Sequence, residues 1–294
     1  MSKPVFLLCI ILFACNARKE RQPIVLQTDF GLKDGAVAAM KGVIIGVDPA
    51  LKIHDLTHEI PPYDIWEAAY RLRQTAEYWP AGTVFVSVVD PGVGTLRKSI
   101  VLKTKSGHYF VSPDNGTLSL ISEQLGIAEV RQIDEAINRR ASSGTSYTFH
   151  GRDVYAYTAA RLAAGVIGFA EIGKRLPDSV TMIPYQKAII ENDTIRGMIP
   201  ILDIQFGNVW TNIPDSLMHN FIYGDSLSCS IKREGNLFFS GRIPLVKTFG
   251  EVPKGHIMGY YNSLMQFSMA INQDNFADSF HIGTGPEWQI ACWK

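Results

Sequence analysis

The pattern of apolar residues changes once along this chain, close to Pro184, and that change limits the fold more than any other feature. Before it, from residue 24 to about 180, short apolar runs rich in β-branched residues alternate with segments of helical periodicity. Such alternation predicts an α/β domain whose central sheet is mainly parallel. From Ile195 onward, short apolar runs are separated by Gly, Pro, Asn and Asp. We therefore expect a smaller, C-terminal antiparallel β-barrel domain over 195–294, after an α/β domain over 23–183.

Individual elements of the first domain are visible in the sequence. Thr83 to Val89 is a continuous β-branched and aromatic run, which is typical of a central parallel strand. Asp64 is followed three residues later by Glu67, the pattern of a capping box at the start of a helix. Further strands and helices are predicted over Ile24–Leu26, Ala36–Val47, Lys52–Leu56, Ser99–Thr104, Tyr109–Ser112 and Arg152–Ala164.

Composition excludes several classes of protein. Hydrophobic residues make up 46% of the 294 residues and charged residues 19%, which is the balance of a folded chain. The 28 basic and 28 acidic residues cancel, so the chain lacks the basic character of a nucleic-acid-binding protein. Four cysteines are too few for a disulfide scaffold. Cys229 and Cys292 have no second cysteine nearby in the sequence, so we expect free thiols and no zinc site there.

Residues 1–22 are typical of an export signal followed by a short tether. Lys3 precedes an apolar stretch that is too short to span a bilayer. Leu12-Phe13-Ala14-Cys15 resembles a bacterial lipobox, which predicts a lipoprotein of the cell envelope whose only attachment to the membrane is lipidated Cys15. The alternatives are export by another route, or an unprocessed tail or misassigned start on a cytoplasmic protein.

Two carboxylates follow the first predicted strand. Asp29 comes directly after it, at the carboxyl edge of the sheet, where open α/β folds bind ligands. Asp34 lies at the start of the next predicted helix. Both are candidate ligand-binding residues. The alternatives are a turn residue for Asp29 and a simple helix cap for Asp34.

A second set of candidates follows the strand that ends at Val89. Asp90 begins a loop with Pro91, Gly92 and Gly94, and Arg97 lies on its far side, where it can fold back onto the carboxylate. His150 precedes a predicted helix, whose N-terminus favours a neutral imidazole. These residues form either a catalytic group or, alternatively, a structural Asp–Arg pair and a structural histidine.

Two other clusters are weaker candidates for a functional site. His54 and His58 are four residues apart, but on a strand their side chains do not converge as a helical zinc pair does. The segment Asp203 to Asn212 combines a carboxylate, amides and aromatic rings. It suits either a polar ligand with a flat ring or a turn beside the core.

Six ordered motifs together resemble the S-adenosylmethionine (SAM) hydroxide adenosyltransferase family, whose relatives include the SAM-dependent fluorinase and chlorinase. The motifs are Gln27–Gly31, Asp55–His58, Val89–Thr95, Pro113–Gly116, Phe149–Arg152 and Phe206–Asn212. The resemblance covers roughly residues 24 to 290. It implies an N-terminal α/β domain, a C-terminal β-barrel, and a homotrimer with active sites between neighbouring subunits. It also implies hydrolysis of SAM to adenosine and L-methionine, with SAM as a substrate and no cofactor or metal.

The resemblance assigns roles to particular residues. It implies that Asp29 holds the ribose hydroxyls and that Tyr63 packs near the sugar. It places four residues of the second domain near the methionine part: Asp203, Phe206, Asn208 and Ser263. The hydroxide-using members carry an Asp–Arg–His set that Asp90, Arg97 and His150 match, and the halogenases carry other residues there. Leu264 and Ile271 depart from arginines of the halogenases.

Two other functions remain open from the sequence. The first is a SAM-dependent halogenase, against which the Asp–Arg–His set argues. The second is a non-catalytic adenosine- or SAM-binding lipoprotein of the envelope, which the N-terminal signal suggests because SAM is made in the cytoplasm.

Overall fold

The structure is a computed structural model that describes residues 21–144 and 146–294. The predicted signal and Cys15 lie outside the described residues. Among the residues described, no helix is long and apolar enough to cross a membrane.

The first domain is built on a six-stranded sheet with the strand order β2-β1-β3-β5-β4-β6. The strands are β1 (Ile24–Thr28), β2 (Ile53–Thr57), β3 (Val84–Val88), β4 (Ser99–Thr104), β5 (Tyr109–Pro113) and β6 (Ile127–Gln132). β1 is parallel to β2 and β3, and β3 is parallel to β5. β4 is antiparallel to both of its neighbours. The sheet is therefore mixed and mostly parallel, which confirms the predicted fold of this domain.

Helices cover both faces of this sheet. They are α1 (Ala36–Val47), α2 (Ile65–Thr75), α3 (Ser119–Leu125), α4 (Glu135–Asn138) and α5 (Tyr157–Ala163), the last preceded by a π-helical segment, Gly151–Ala156. Leu26 and Val25 of β1 are buried in separate apolar clusters, because successive side chains of a strand point to opposite faces. One cluster contains Met40 of α1 and the other Leu72 of α2.

The predicted helix boundaries agree with those of the structure, with one exception. α1 has the predicted bounds, and the Asp64 side chain accepts a hydrogen bond from Glu67 N at 2.8 Å, which confirms the cap of α2. The helix predicted over Arg152–Ala164 instead begins as the π-helical segment. Such segments often occur at functional sites.

The second domain contains two antiparallel sheets. The four-stranded sheet has the order β13-β14-β10-β9 and the five-stranded sheet the order β12-β11-β15-β8-β7. The strands are β7 (Ile189–Glu191), β8 (Thr194–Ile199), β9 (Ile201–Asp203), β10 (Asn208–Pro214), β11 (Ser226–Arg233), β12 (Asn236–Pro244), β13 (Ile257–Tyr261), β14 (Gln266–Ile271) and β15 (Gly285–Trp293). A short helix, α6 (Phe276–Phe280), precedes β15.

The predicted barrel is not closed within the described part of the chain. An isolated bridge between Leu245 and Gly259 links the two sheets where β12 approaches β13, but no continuous ladder joins them there. Side chains from both sheets share one apolar core, which contains Val209 and Phe267 from one sheet and Ile231 and Ile290 from the other. Packing of the two inner faces, rather than ladder closure, buries the apolar side of each strand.

The two domains pack closely through α2. Trp66 Nε1 donates to the carbonyl oxygen of Pro200 at 2.8 Å, and the side-chain amide of Gln266 lies 3.0 Å from the Tyr70 hydroxyl. Ala69 and Tyr70 share an apolar cluster with Leu120, Ile201 and Trp210. This interface fixes how the ligand-facing edges of the two domains lie relative to each other.

Candidate active site

The carboxyl ends of β1 and β3 form one wall of a cleft of about 250 Å³. Asp29 follows β1, Asp90 follows β3 after one further residue, and His150 immediately precedes the π-helical segment. All three line the cleft, together with Phe30, Pro62, Tyr63, Val88, Val93, Thr148, Phe149 and Gly151. The parallel sheet thus brings together side chains that are more than a hundred residues apart in the sequence.

Asp90 and Arg97 form a bidentate ion pair, because the loop between them folds Arg97 back onto the carboxylate. Arg97 Nε donates to Asp90 Oδ1 at 2.9 Å and Arg97 Nη2 donates to Asp90 Oδ2. The Asp90 side chain is 6% exposed and that of Arg97 11%. A paired guanidinium fork fixes the plane of a carboxylate, so the orientation of Asp90 is determined by Arg97.

Arg97 is also held by a hydrogen-bond network whose residues the sequence did not reveal. Arg97 Nη1 donates to Ser99 Oγ at 3.1 Å. Ser99 Oγ in turn lies 3.3 Å from Glu135 Oε1 and 3.2 Å from the Tyr155 hydroxyl. Burial raises the pKa of Tyr155, so this phenol is neutral. The network therefore connects Asp90, through Arg97 and Ser99, to α4.

The same network reaches His150 from α4. Arg139 Nη2 contacts Glu135 Oε2 at 2.5 Å and His150 Nε2 at 3.2 Å. Glu135 Oε2 lies 3.6 Å from the same ring nitrogen, beyond hydrogen-bonding distance. The His150 ring and the Arg139 guanidinium lower the pKa of Glu135 to about 2, so this carboxylate is ionised.

The two ring nitrogens of His150 have different surroundings. Nε2 faces the Arg139 guanidinium and the Glu135 carboxylate. Nδ1 is buried and has no hydrogen-bond partner in the described part of the chain. A buried polar nitrogen without a partner is costly, which indicates that this atom serves a ligand or a water.

Asp29 is held by the backbone of Tyr63. Tyr63 N donates to Asp29 Oδ2 at 3.0 Å, and among the described residues Asp29 Oδ1 has no partner. Tyr63 has a φ of 70°, a left-handed conformation that is uncommon for an aromatic residue, and its side chain is 71% exposed. Such strain is often found at ligand sites, and both residues line the cleft.

A chain of hydrogen bonds anchors the turn that carries Asp29. Phe30 N donates to Thr28 Oγ1 at 3.2 Å, and Thr28 Oγ1 lies 2.9 Å from His58 Nδ1. His58 Nε2 lies 3.0 Å from Asp55 Oδ1, and Lys41 Nζ contacts Asp55 Oδ2 at 2.6 Å. The carbonyl oxygen of His58 also accepts from Gly31 N at 2.7 Å. His58 therefore holds the turn on both sides of Phe30.

This arrangement explains the two histidines of the weaker sequence cluster. His54 packs its ring against Trp79, with the ring centroids 5.0 Å apart, whereas His58 bonds to Thr28 and Asp55. In residues 21–144 and 146–294 no group of three or more His, Cys, Asp or Glu side chains is arranged to hold a metal ion.

Asp34 lies apart from the cleft. It is exposed, and its Oδ1 accepts a hydrogen bond from Ala36 N at 2.9 Å, at the start of α1. It does not line the cleft that contains Asp29. Asp34 therefore closes the turn that leads into α1, one residue before the N-cap Gly35, and its role in ligand binding stays a prediction.

The candidates of the second domain line a separate, larger pocket of about 1090 Å³. Asp203, Phe206, Asn208 and Ser263 are all part of it, and Asn208 Nδ2 donates to Asp203 Oδ2 at 3.1 Å. Phe206 lies in the turn between β9 and β10 and is 64% exposed. Ile271 also lines the pocket, whereas Leu264 packs against the cluster between the domains. This pocket and the cleft of the first domain have no lining residue in common.

Comparisons with known proteins agree with this division. Residues 24–173 match the SAM hydroxide adenosyltransferase N-terminal domain and residues 197–289 the C-terminal domain of the same family. The chain is 37% identical to the (R)-S-adenosyl-L-methionine hydrolase of Methanocaldococcus jannaschii over 78% of this chain and 80% of that protein. It is 27% identical to the fluorinase of an Actinoplanes species over 89% and 95% of the two chains. The crystal structure of an uncharacterized conserved protein from Thermotoga maritima superposes with a TM-score of 0.84 at 33% identity, covering 92% and 100% of the two chains.

Proposed function

The chain belongs to the SAM hydroxide adenosyltransferase family, and from that premise we propose that it hydrolyses SAM to adenosine and L-methionine. One observation carries the proposal. The paired Asp90 carboxylate and a buried His150 nitrogen without a partner share the cleft that also contains Asp29. These are groups that orient a water and accept its proton beside a bound nucleoside.

The reaction is a displacement at the ribose C5′ atom. The oxygen of water forms a bond to C5′ from the side opposite sulfur, the C5′–S bond breaks, and its electron pair leaves with methionine. Methionine departs as a neutral thioether, so no acid is needed at sulfur. The proton lost from the attacking water goes to the protein and then to solvent. The chemistry requires no metal and no redox cofactor.

The residues divide this work. Asp90 accepts the proton of the attacking water, and Arg97 fixes the carboxylate plane. His150 contacts the same water through Nδ1, the nitrogen that has no partner among the described residues, and accepts or relays its proton. General-base assistance is worth roughly 10²–10⁴-fold, and correct positioning adds further rate.

The substrate is held by both domains. Asp29 binds the ribose hydroxyls beside Tyr63, and Asp203, Phe206, Asn208 and Ser263 bind the methionine end. The two sets line separate pockets, and the interface through Trp66 and Tyr70 holds these pockets in place. We propose that a complete site forms where the first domain of one copy meets the second domain of another, in the homotrimer that the family resemblance implies.

The protein is exported and anchored to the cell envelope through lipidated Cys15. This proposal is supported by the sequence motif alone. Because a relative from Methanocaldococcus jannaschii is named an (R)-S-adenosyl-L-methionine hydrolase, both sulfonium epimers of SAM are candidate substrates.

The direct test is product analysis with both sulfonium epimers of SAM in water enriched in oxygen-18. The proposal requires adenosine that carries the label at its 5′ oxygen, together with methionine. The same reaction with added chloride or fluoride tests the halogenase alternative, because relatives include fluorinases. A 5′-halogenated nucleoside would establish a halogenase, and unchanged SAM in every arm would leave a non-catalytic binding protein.

A further inference from the structure

Two cysteines that are far apart in the sequence meet in the core of the second domain. Cys229 of β11 and Cys292 of β15 are direct partners in an antiparallel pair of strands. Their sulfur atoms are 3.3 Å apart and both residues are fully buried. Both are free thiols in the structure, as the sequence predicts, but their separation along the chain does not reveal the contact between them.

The positions suit a covalent bond. Directly opposite residues of antiparallel strands have Cα atoms about 4.5 or 5.5 Å apart, depending on the type of pair, and both values lie within the range of disulfides. The sulfur atoms need to approach by little more than 1 Å to reach the bonded distance of about 2.05 Å. Leu227 and Ile231, two positions away on β11, belong to the same apolar core. The strand pairing thus holds the two sulfur atoms together.

We propose that Cys229 and Cys292 form a structural disulfide when the chain folds in an oxidising compartment. The two thiols are oxidised to one disulfide, losing two protons and two electrons. A disulfide oxidant, such as oxidised glutathione or a protein disulfide, takes up both and is reduced to two thiols. This proposal does not depend on SAM hydrolysis.

Burial determines when the bond forms. Burial and the neighbouring Cys229 raise the pKa of Cys292, and only a thiolate attacks a disulfide at a useful rate. Both side chains are also inaccessible to an oxidant once the domain has folded. The bond must therefore form during folding and then be protected from reductants.

The bond ties β15, the central strand of its sheet, to its neighbour β11. The cysteines are 63 positions apart in the sequence, and the chain between them contains β12, β13 and β14, so the bond closes a long loop around the core. Closing a long loop restricts the unfolded chain and stabilises the fold.

The test uses the full chain, unfolded with reductant and then refolded with either oxidised glutathione or dithiothreitol. Each sample is alkylated in denaturant and mapped by peptide mass, which separates these cysteines from Cys9 and Cys15. We expect oxidative refolding to give one linked peptide pair, two hydrogens lighter than the sum of the two thiol peptides. We also expect a melting temperature about 5–10 °C above that of the reduced protein.

Cys229→Ala is the matched control, because it leaves Cys292 without a partner. Its melting temperature should be the same after either refolding, and Cys292→Ala provides the same comparison if the first variant folds poorly. Two alkylated peptides after oxidative refolding would overturn the proposal. An oxidised and a reduced wild-type protein that melt at the same temperature would overturn its stabilising role.

Discussion

Replacing Asp90 by asparagine tests the centre of the proposed mechanism with the smallest change in shape. The Asp90 side chain is 6% exposed and accepts two hydrogen bonds from the Arg97 guanidinium. The asparagine side chain would keep one acceptor oxygen but would place an amide N–H₂ group against a guanidinium that can only donate. Arg97 retains its bond to Ser99, so the cleft keeps much of its framework.

The size of the effect follows from the role of the carboxylate. Loss of a general base lowers turnover by roughly 10²–10⁴-fold, or about 3–5.5 kcal/mol of barrier. Adenosine affinity should stay within a few-fold of the wild type, because Asp90 acts on the water and not on the nucleoside. Asp29→Ala should behave in the opposite way, since a lost charged hydrogen bond weakens nucleoside binding by about 1.5–3 kcal/mol.

The assay combines adenosine release, measured by chromatography under saturating SAM, with calorimetric titration of adenosine. Asp178→Asn is the matched control, because it makes the same substitution in an exposed Asp–Arg pair, with Arg175, that does not line the cleft. A folded Asp90→Asn protein that turns over within about threefold of the wild type would refute the assignment of Asp90 as the proton acceptor.

Three further outcomes are expected. Glu135→Gln removes a carboxylate whose pKa is lowered to about 2 in the folded protein. The ionised carboxylate stabilises the fold above pH 4.5, and this stabilisation is lost as the pH falls towards 2. Because this group is half-exposed, the substitution lowers the free energy of unfolding by at most ~1 kcal/mol at pH 7. The melting temperatures of the variant and the wild type should converge in acid. A difference that stays constant with pH would contradict this. His58→Phe breaks the hydrogen bonds to Thr28 and Asp55 that anchor the turn carrying Asp29. The adenosine Kd should rise about tenfold with kcat nearly unchanged. A fall in kcat alone would show that His58 does not act through Asp29. Cys15→Ser should release the protein from the membrane fraction without changing its activity in detergent-free extract, and a wild type that is soluble and retains Met1 would exclude the anchor.

The sequence predicts the first domain well because its signals are local. Apolar runs mark β1 and β3, and Asp64 with Glu67 marks the start of α2. Asp29 and Asp90 could be chosen as candidates because a residue after a buried parallel strand must lie at the carboxyl edge of the sheet. The fold rule therefore locates part of the site before any contact is known.

The residues that support the site could not be found in this way. Glu135 and Arg139 lie on and beside a helix of four residues, too short to show periodicity, and Ser99 is an ordinary polar residue at the start of a strand. Their importance arises from contacts across the fold, from β4 to α4 and on to His150. The pairing of Cys229 with Cys292 was missed for the same reason, because it depends on strand register.

The separation of the two pockets leads to the last prediction. The two pockets share no lining residue, and the interface between the domains of one chain buries Tyr70, Ile201 and Trp210. In the proposed homotrimer, the first domain of one copy and the second domain of its neighbour together form each site. If sites form between copies, two damaged variants should complement each other: Asp90→Asn, and Phe206→Ala, whose exposed ring can be truncated with little effect on the fold. When equal amounts are assembled together, a site is intact only if its first domain comes from the Phe206→Ala variant and its second domain from the Asp90→Asn variant. Random assembly gives this in about one site in four, so about a quarter of the wild-type activity should return at low SAM. If each site lay within one chain, every site would carry one of the two defects, and the mixture would show no more activity than the average of the separate variants.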